Sequence, residues 1–253
     1  MRRVGLLLAV AACHRGTSHE PVDPALDLAI VVPDDFKRVE AGMSFIERSP
    51  IFATPAEFAA DMAAHNQSFT IGAPTTDGTM WSVIMTSHSD VVNGDLQVWY
   101  RQVGNSLAIR CTAIHTPVPT AAERELTRKT CEGTQRVATG IYVPFQFSPG
   151  ELHSMWLNLA RENGPRNWTV DLELAKTVPS YTLDPKGAGG EHKQIDSGDG
   201  WFISREERPD GDHYNVVTHR QVGAFDMVCS GDNYDGEQNA RVMLALCLGL
   251  EAP

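Results

Sequence analysis

The chain has 253 residues, 32 of them acidic and 21 basic, giving a formal net charge of −11. So acidic a surface repels phosphate backbones and anionic headgroups, which argues against nucleic-acid binding and against direct electrostatic adsorption to a membrane. The length is enough to bury a real core, as one large domain or two small ones.

The chain opens Met1-Arg2-Arg3, followed by the uncharged run Val4–Ala12 (VGLLLAVAA). That run is too short to cross a hydrocarbon core, which takes about 20 helical residues; it reads as the apolar region of a signal peptide. It ends Val10-Ala11-Ala12-Cys13, which resembles the lipobox of bacterial prolipoproteins: an aliphatic residue, two small ones and a cysteine. The resemblance covers residues 1–13. It implies removal of residues 1–12, lipid on Cys13 and, because His14 follows rather than aspartate, an outer-membrane address facing periplasm or cell surface. Residues 13–33 are expected to form the lipidated tether, polar at first and apolar near Leu26–Val32. Losing Arg2 and Arg3 leaves the mature chain still more acidic, so the acyl chains must supply the anchoring.

The remainder contains an internal duplication. Arg101-Gln102-Val103-Gly104 recurs as Arg220-Gln221-Val222-Gly223, each followed by an apolar run ending in Cys111 or Cys229. The offset is 119 at the arginines, 118 at these cysteines, 116 for Cys131 against Cys247 and 120 for Trp81 against Trp201. A further match sets Thr54-Pro55-Ala56-Glu57-Phe58 against Ser148-Pro149-Gly150-Glu151-Leu152, at an offset of 94. Both have a helix-start form: hydroxyl at N-cap, proline at N1, glutamate at N3. Residues 34–135 and 136–253 are therefore expected to be tandem repeats, the second with an insertion at about 165–200.

Each repeat is read as a short strand (Met43–Arg48; Gly140–Phe147) and a leading helix (Pro55–His65; Pro149–Asn163). Three strands follow: Trp81–Thr86, Leu96–Gln102 and Ser106–Ile114 in the first, Trp201–Ser204, Tyr214–Gln221 and Phe225–Ser230 in the second. A closing helix ends each (Ala121–Cys131; Gly236–Leu248). Turns such as Asn93-Gly94-Asp95 and Pro209-Asp210-Gly211-Asp212 join neighbouring strands. The expected fold is α+β with mainly antiparallel sheet, in two lobes or one pseudo-symmetric domain.

An even number of cysteines beyond Cys13 in an exported chain points to disulfides, and four allow three connectivities. A strand leaving Cys111 and a helix returning by about 15 Å to Cys131 brings those two together, and the same count serves Cys229 and Cys247. The expected pairs are Cys111–Cys131 and Cys229–Cys247. Zinc is disfavoured, since no C-x₂-C pair occurs.

No cofactor motif is found. His213 and His219 share a strand without a third ligand. Asp196-Ser-Gly-Asp199-Gly200 and Asp232-Asn-Tyr-Asp235-Gly236-Glu237 miss the EF-hand spacing and read as turns and helix caps; Asp232, Asp235 and Glu237 remain the one candidate calcium set. Lys186-Gly187-Ala188-Gly189-Gly190 lacks a phosphate-loop ending. Arg101 and Arg220 are candidate anion binders, against a structural role at a strand end. Trp81 and Trp201 read as core anchors, and Trp168, in the insertion, as a candidate partner contact.

Three functions fit. The first is a protein-interaction module, of inhibitor or immunity type, steering a basic partner by its charge. The others are a periplasmic carrier of a small ligand or cation, and a hydrolase with an unrecognised site. The balance leans away from an enzyme.

Overall fold

The computed structural model describes residues 26–87, 94–113, 119–147, 154–161, 168–175, 192–222 and 225–252. They form sixteen strands and three helices. The strands are β1 (Leu26–Val32), β2 (Phe36–Ala41), β3 (Ser44–Ser49), β4 (Phe69–Ile71), β5 (Thr75–Asp77), β6 (Met80–Ser87), β7 (Asp95–Gly104), β8 (Leu107–Ala113), β9 (Gln135–Val137), β10 (Gly140–Phe147), β11 (Ser154–Arg161), β12 (Trp168–Ala175), β13 (His192–Gly198), β14 (Trp201–Arg208), β15 (Gly211–Val222) and β16 (Phe225–Asp235). The helices are α1 (Pro55–His65), α2 (Ala121–Gly133) and α3 (Glu237–Leu248). The expected α+β class with antiparallel sheet holds: the strand pairings, among the described residues, are antiparallel.

One sheet runs through both halves of the chain, in the order β13-β14-β15-β16-β12-β11-β2-β3-β8-β7-β6-β4, with β5 also on β6. The halves meet at a seam where β2 pairs β11, Val39 opposite Leu159. Outward from the seam, each side places second the strand that pairs with the cysteine strand (β3 or β12), then the cysteine strand itself (β8 or β16), then the arginine strand (β7 or β15). A small second sheet, β1-β10-β9, lies with α2 and α3 over one face of the large one.

Strict alternation explains the layers. On β7 and β8, Trp99, Leu107, Ile109 and Cys111 enter the main core, while Val98, Tyr100 and Ala108 enter a second cluster on the opposite face, under Phe58 and Met62 of α1. Helix α1 starts as its sequence promises: the Thr54 side chain accepts from Glu57 N at 3.2 Å, with Pro55 in the first turn. The Glu57 carboxylate reaches back past the cap, to Ala53 N at 2.9 Å. Helix α2 carries a complete capping box between Thr120 and Glu123. The β2–β3 turn requires Gly42, at φ +57° and with a virtual Cβ only 2.7 Å from the Gln146 carbonyl oxygen.

Four expectations fail. Residues 154–161 form strand β11, not the body of a Pro149–Asn163 helix. Leu152, Trp156 and Leu159 fit helical spacing, but Leu157 and Leu159 also alternate, and both are fully buried in the sheet core. The cap residues Ser148–Glu151 lie outside the described residues. Second, the apolar end of the supposed tether is β1: Leu28, Ile30 and Val32 are fully buried and pair with β10, which therefore does not stand in β3's place. Third, the insertion expected at 165–200 contains β12, an integral strand between β11 and β16; residues 176–191, with the glycine cluster, lie outside the described residues. Fourth, Trp81 and Trp201 do not correspond. Trp81 sits opposite Tyr100, one before Arg101, whereas Trp201 sits opposite Thr218, two before Arg220. A one-residue slip turns a side chain to the other sheet face, so Trp201 packs on the main core and Trp81 on the α1 cluster.

Because β1 is core, Ile30→Ala is expected to lower unfolding stability by about 2–5 kcal/mol, measured by urea denaturation; a solvated tether would show no loss.

Candidate functional site

The duplicated arginines hold helix ends. Arg101 lies opposite Ile109 and Arg220 opposite Met227, each pair two residues short of the strand cysteine. The disulfides Cys111–Cys131 and Cys229–Cys247, with Cα separations of 5.8 and 5.7 Å, bring the C-terminal turns of α2 and α3 to these strands. Arg101 Nη1 donates to the carbonyls of Cys131 at 3.2 Å, Thr134 at 2.7 Å and Glu132. Arg220 Nη2 donates to the carbonyl of Cys247 at 3.1 Å and to that of Leu250. A helix end leaves its last carbonyls unpaired and carries partial negative charge, so a guanidinium there satisfies both. Burial pushes Arg220 below the ordinary arginine range, opposed by the charge of Glu251. These contacts occupy the two arginines structurally.

The other sequence candidates are dispersed. Glu237 accepts from Arg241 Nε at 2.8 Å, and Gly236, at φ 84°, stands at the α3 N-cap without a side-chain cap bond. The side chains of Asp232 and Asp235 lie outside the described ones, and among the described residues no three His, Cys, Asp or Glu could hold a metal ion. Asp196 binds Arg241 Nη1 at 2.8 Å, joining β13 to α3. That guanidinium, and then the Ser197 amide, hold the Asp196 carboxyl below the usual range. His213 lies 3.4 Å from Asp210, while His219 is six residues along the strand, about 20 Å away. Trp168 begins β12 opposite Leu159; its side chain is outside the described ones. Cys13 is outside them too.

What the structure does assemble, and sequence reasoning missed, is a row of fixed charges on the outer face of the large sheet at its seam. Glu40 stands opposite both Phe45 on β3 and Asn158 on β11, and Glu47 opposite Arg110 on β8. Asn158 Nδ2 donates to Glu40. The Arg38 guanidinium lies 5.3 Å from the Phe45 ring centroid and 3.8 Å from Glu40. Arg110 reaches Glu47 at 3.7 Å and Asp61 of α1 at 3.8 Å, with its Nε buried and unbonded. Helix α1 packs on β4 and β6 and reaches the Arg110 end of this row through Asp61 and Met62; Arg38 and Glu47 keep 36% and 43% side-chain exposure, Glu40 and Arg110 20% and 23%. The available signal was polar alternation in Phe36-Lys-Arg-Val-Glu-Ala41 and Ser44-Phe-Ile-Glu-Arg-Ser49, but the partners on β8 and β11 are far away in sequence. Rigid strands holding paired opposite charges, an arginine over an aromatic ring and an amide can recognise a protein surface.

No family model matches the chain, and no curated protein matches it. Among solved structures, the immunity protein TplEi of the T6SS from Pseudomonas aeruginosa, solved with an "L" peptide, is similar at a TM-score of 0.40 and 11% identity, over 90% of this chain and 92% of that one. A superposition that loose says nothing of what this chain binds. Among the described residues no helix is long and apolar enough to cross a membrane, and the two disulfides fit an oxidising compartment.

Removing either helix-end arginine leaves partly buried carbonyls unpaired. Arg101→Ala and Arg220→Ala are each expected to cost about 1–3 kcal/mol, read by denaturant unfolding. A depressed carboxyl contributes stability that is present above its unfolded pKa and lost as pH falls through the folded one. Arg241→Ala should thus raise the Asp196 pKa towards the ordinary aspartate range, followed by carboxyl-carbon NMR, and flatten the loss of stability on acidification.

Proposed function

We propose that this chain is a lipid-anchored envelope protein that binds another protein, as an inhibitor or immunity-type protein blocks a secreted toxin. The observation that carries the reading is the partly accessible seam face, where Arg38, Glu40, Phe45, Glu47 and Arg110 are held by three strand pairings across one continuous sheet, with Arg38 over the Phe45 ring. Such a display suits a partner surface, since its groups are rigid and keep opposite charges in register for complementary pairing. The overall charge of −11 favours a basic partner.

The address comes from the N-terminus. The resemblance of Val10–Cys13 to a lipobox supports acylation of Cys13 and an outer-membrane location, and the disulfides are compatible with export. The two halves, we infer, are copies of one unit. The matched positions of the arginines, cysteines and closing helices about the seam support this, though the tryptophans fall out of register.

The test is capture from envelope and secreted extracts by the oxidised protein, beside a Glu40→Lys, Glu47→Lys double variant. The expected result is a stoichiometric partner whose association slows about tenfold with the double variant and weakens with salt. A partner held equally by both proteins would remove the seam face from the reading.

A further inference from the structure

A second feature lies away from the seam, at the corner where β6 meets β7 and the β7–β8 turn. A shallow open hollow of about 410 Å³ is lined by Thr79, Trp81, Tyr100, Gln102, Gly104 and Asn105. Its wall is the end of an aromatic column. Phe52 and Phe58 pack on the Tyr100 ring at 5.4 and 5.2 Å, and Trp81 stacks on Tyr100 at 4.8 Å with only 16° between the planes. The Tyr100 hydroxyl accepts from Phe52 N at 3.1 Å, which fixes the column from below. The indole is therefore immobilised before any ligand arrives, yet half-exposed.

The lining has a distinctive chemistry. In a chain of which 21% is charged, none of these six residues carries charge. Facing the aromatic wall are two exposed carboxamides and an exposed hydroxyl: Gln102, Asn105 and Thr79. Gln102 Nε2 donates to Gly104 O at 2.9 Å, which orients its amide oxygen as a further acceptor. A carboxamide offers both donor and acceptor, as a sugar hydroxyl pair requires, and an aromatic wall takes the apolar C–H face of the ring. An open hollow with an immobilised aromatic wall and a few convergent polar groups suits a ligand that lies along the surface and presents one apolar face and several hydroxyls.

We propose that this hollow is a saccharide subsite, taking one or two rings of a neutral oligosaccharide against Trp81, with Gln102 and Asn105 bonding its hydroxyls. It is independent of the seam face, so either can fail alone.

The test titrates the full oxidised protein with maltotetraose, cellotetraose and tetra-N-acetylchitotetraose to about 10 mM, a range that covers millimolar affinity. The readouts are tryptophan fluorescence and the side-chain amide NMR signals of Gln102 and Asn105. At least one oligosaccharide is expected to shift both saturably, with affinity falling roughly fivefold in Gln102→Ala and in Asn105→Ala at unchanged melting temperature. No saturable shift with any of the three overturns the proposal. So does binding that both variants retain in full, and so does saturation of the hollow by a neutral proline-rich peptide when the sugars leave it untouched.

Discussion

Each closing helix is tied to the sheet at one point by two kinds of bond. A disulfide fixes the chain covalently, and an arginine two strand positions from the residue opposite the bonded cysteine reaches the last carbonyls of the same helix. The two devices act on different quantities: the disulfide limits the distance between helix and strand, and the guanidinium pairs carbonyls at the helix end that would otherwise lie unpaired. With α2 and α3 so placed, β1 and β10 can run between them as an inner layer, and Leu28, Ile30, Val143 and Phe145 are buried. The large sheet then has one face committed to the core and another left, around the seam, to solvent.

That division makes the outer face informative. From Arg38 to Glu47 the two faces separate: Val39, Ala41 and Ile46 are core, while Arg38, Glu40, Phe45 and Glu47 face outward; beyond this stretch Phe36 breaks the pattern at a bulge against β11 and is fully buried. The charges that occupy those positions are not isolated. Arg38, Glu40 and Asn158 form one group, and Arg110, Glu47 and Asp61 another. The charged side chains keep between 20% and 43% of their exposure, so the pairs are partly screened from water, and their organisation across four strands is the feature the proposed interaction role would use.

Local pattern made part of this legible in the sequence. The hairpins, α1, the closing helices and the cysteine pairs all rest on turns, caps and spacings within about 30 residues. The errors arose where pattern was ambiguous or pairing distant. Trp156 and Leu159 satisfy a helical period, and only burial of Leu157 beside Leu159 identifies a strand. Leu26–Val32 looked like the end of a tether because its partner, Gly140–Phe147, is over a hundred residues away. Trp81 and Trp201 differ by one residue from the arginine offset, a drift that is small in sequence and decisive in a sheet, since it exchanges faces. The arginines were noticed as a repeated pair, but their role at helix ends required the fold. The seam itself joins residues 118 apart, as Glu40 and Asn158 show, and no periodicity announces it.

Hydroxyl-radical footprinting of the chain with its captured protein partner tests the central claim most directly, because Phe45 lies half-exposed in the middle of the seam face. The account predicts that oxidation of Phe45 falls in the complex while that of the exposed Leu248, on α3, is unchanged. Full oxidation of Phe45 in the complex, with protection at Leu248 instead, would contradict it.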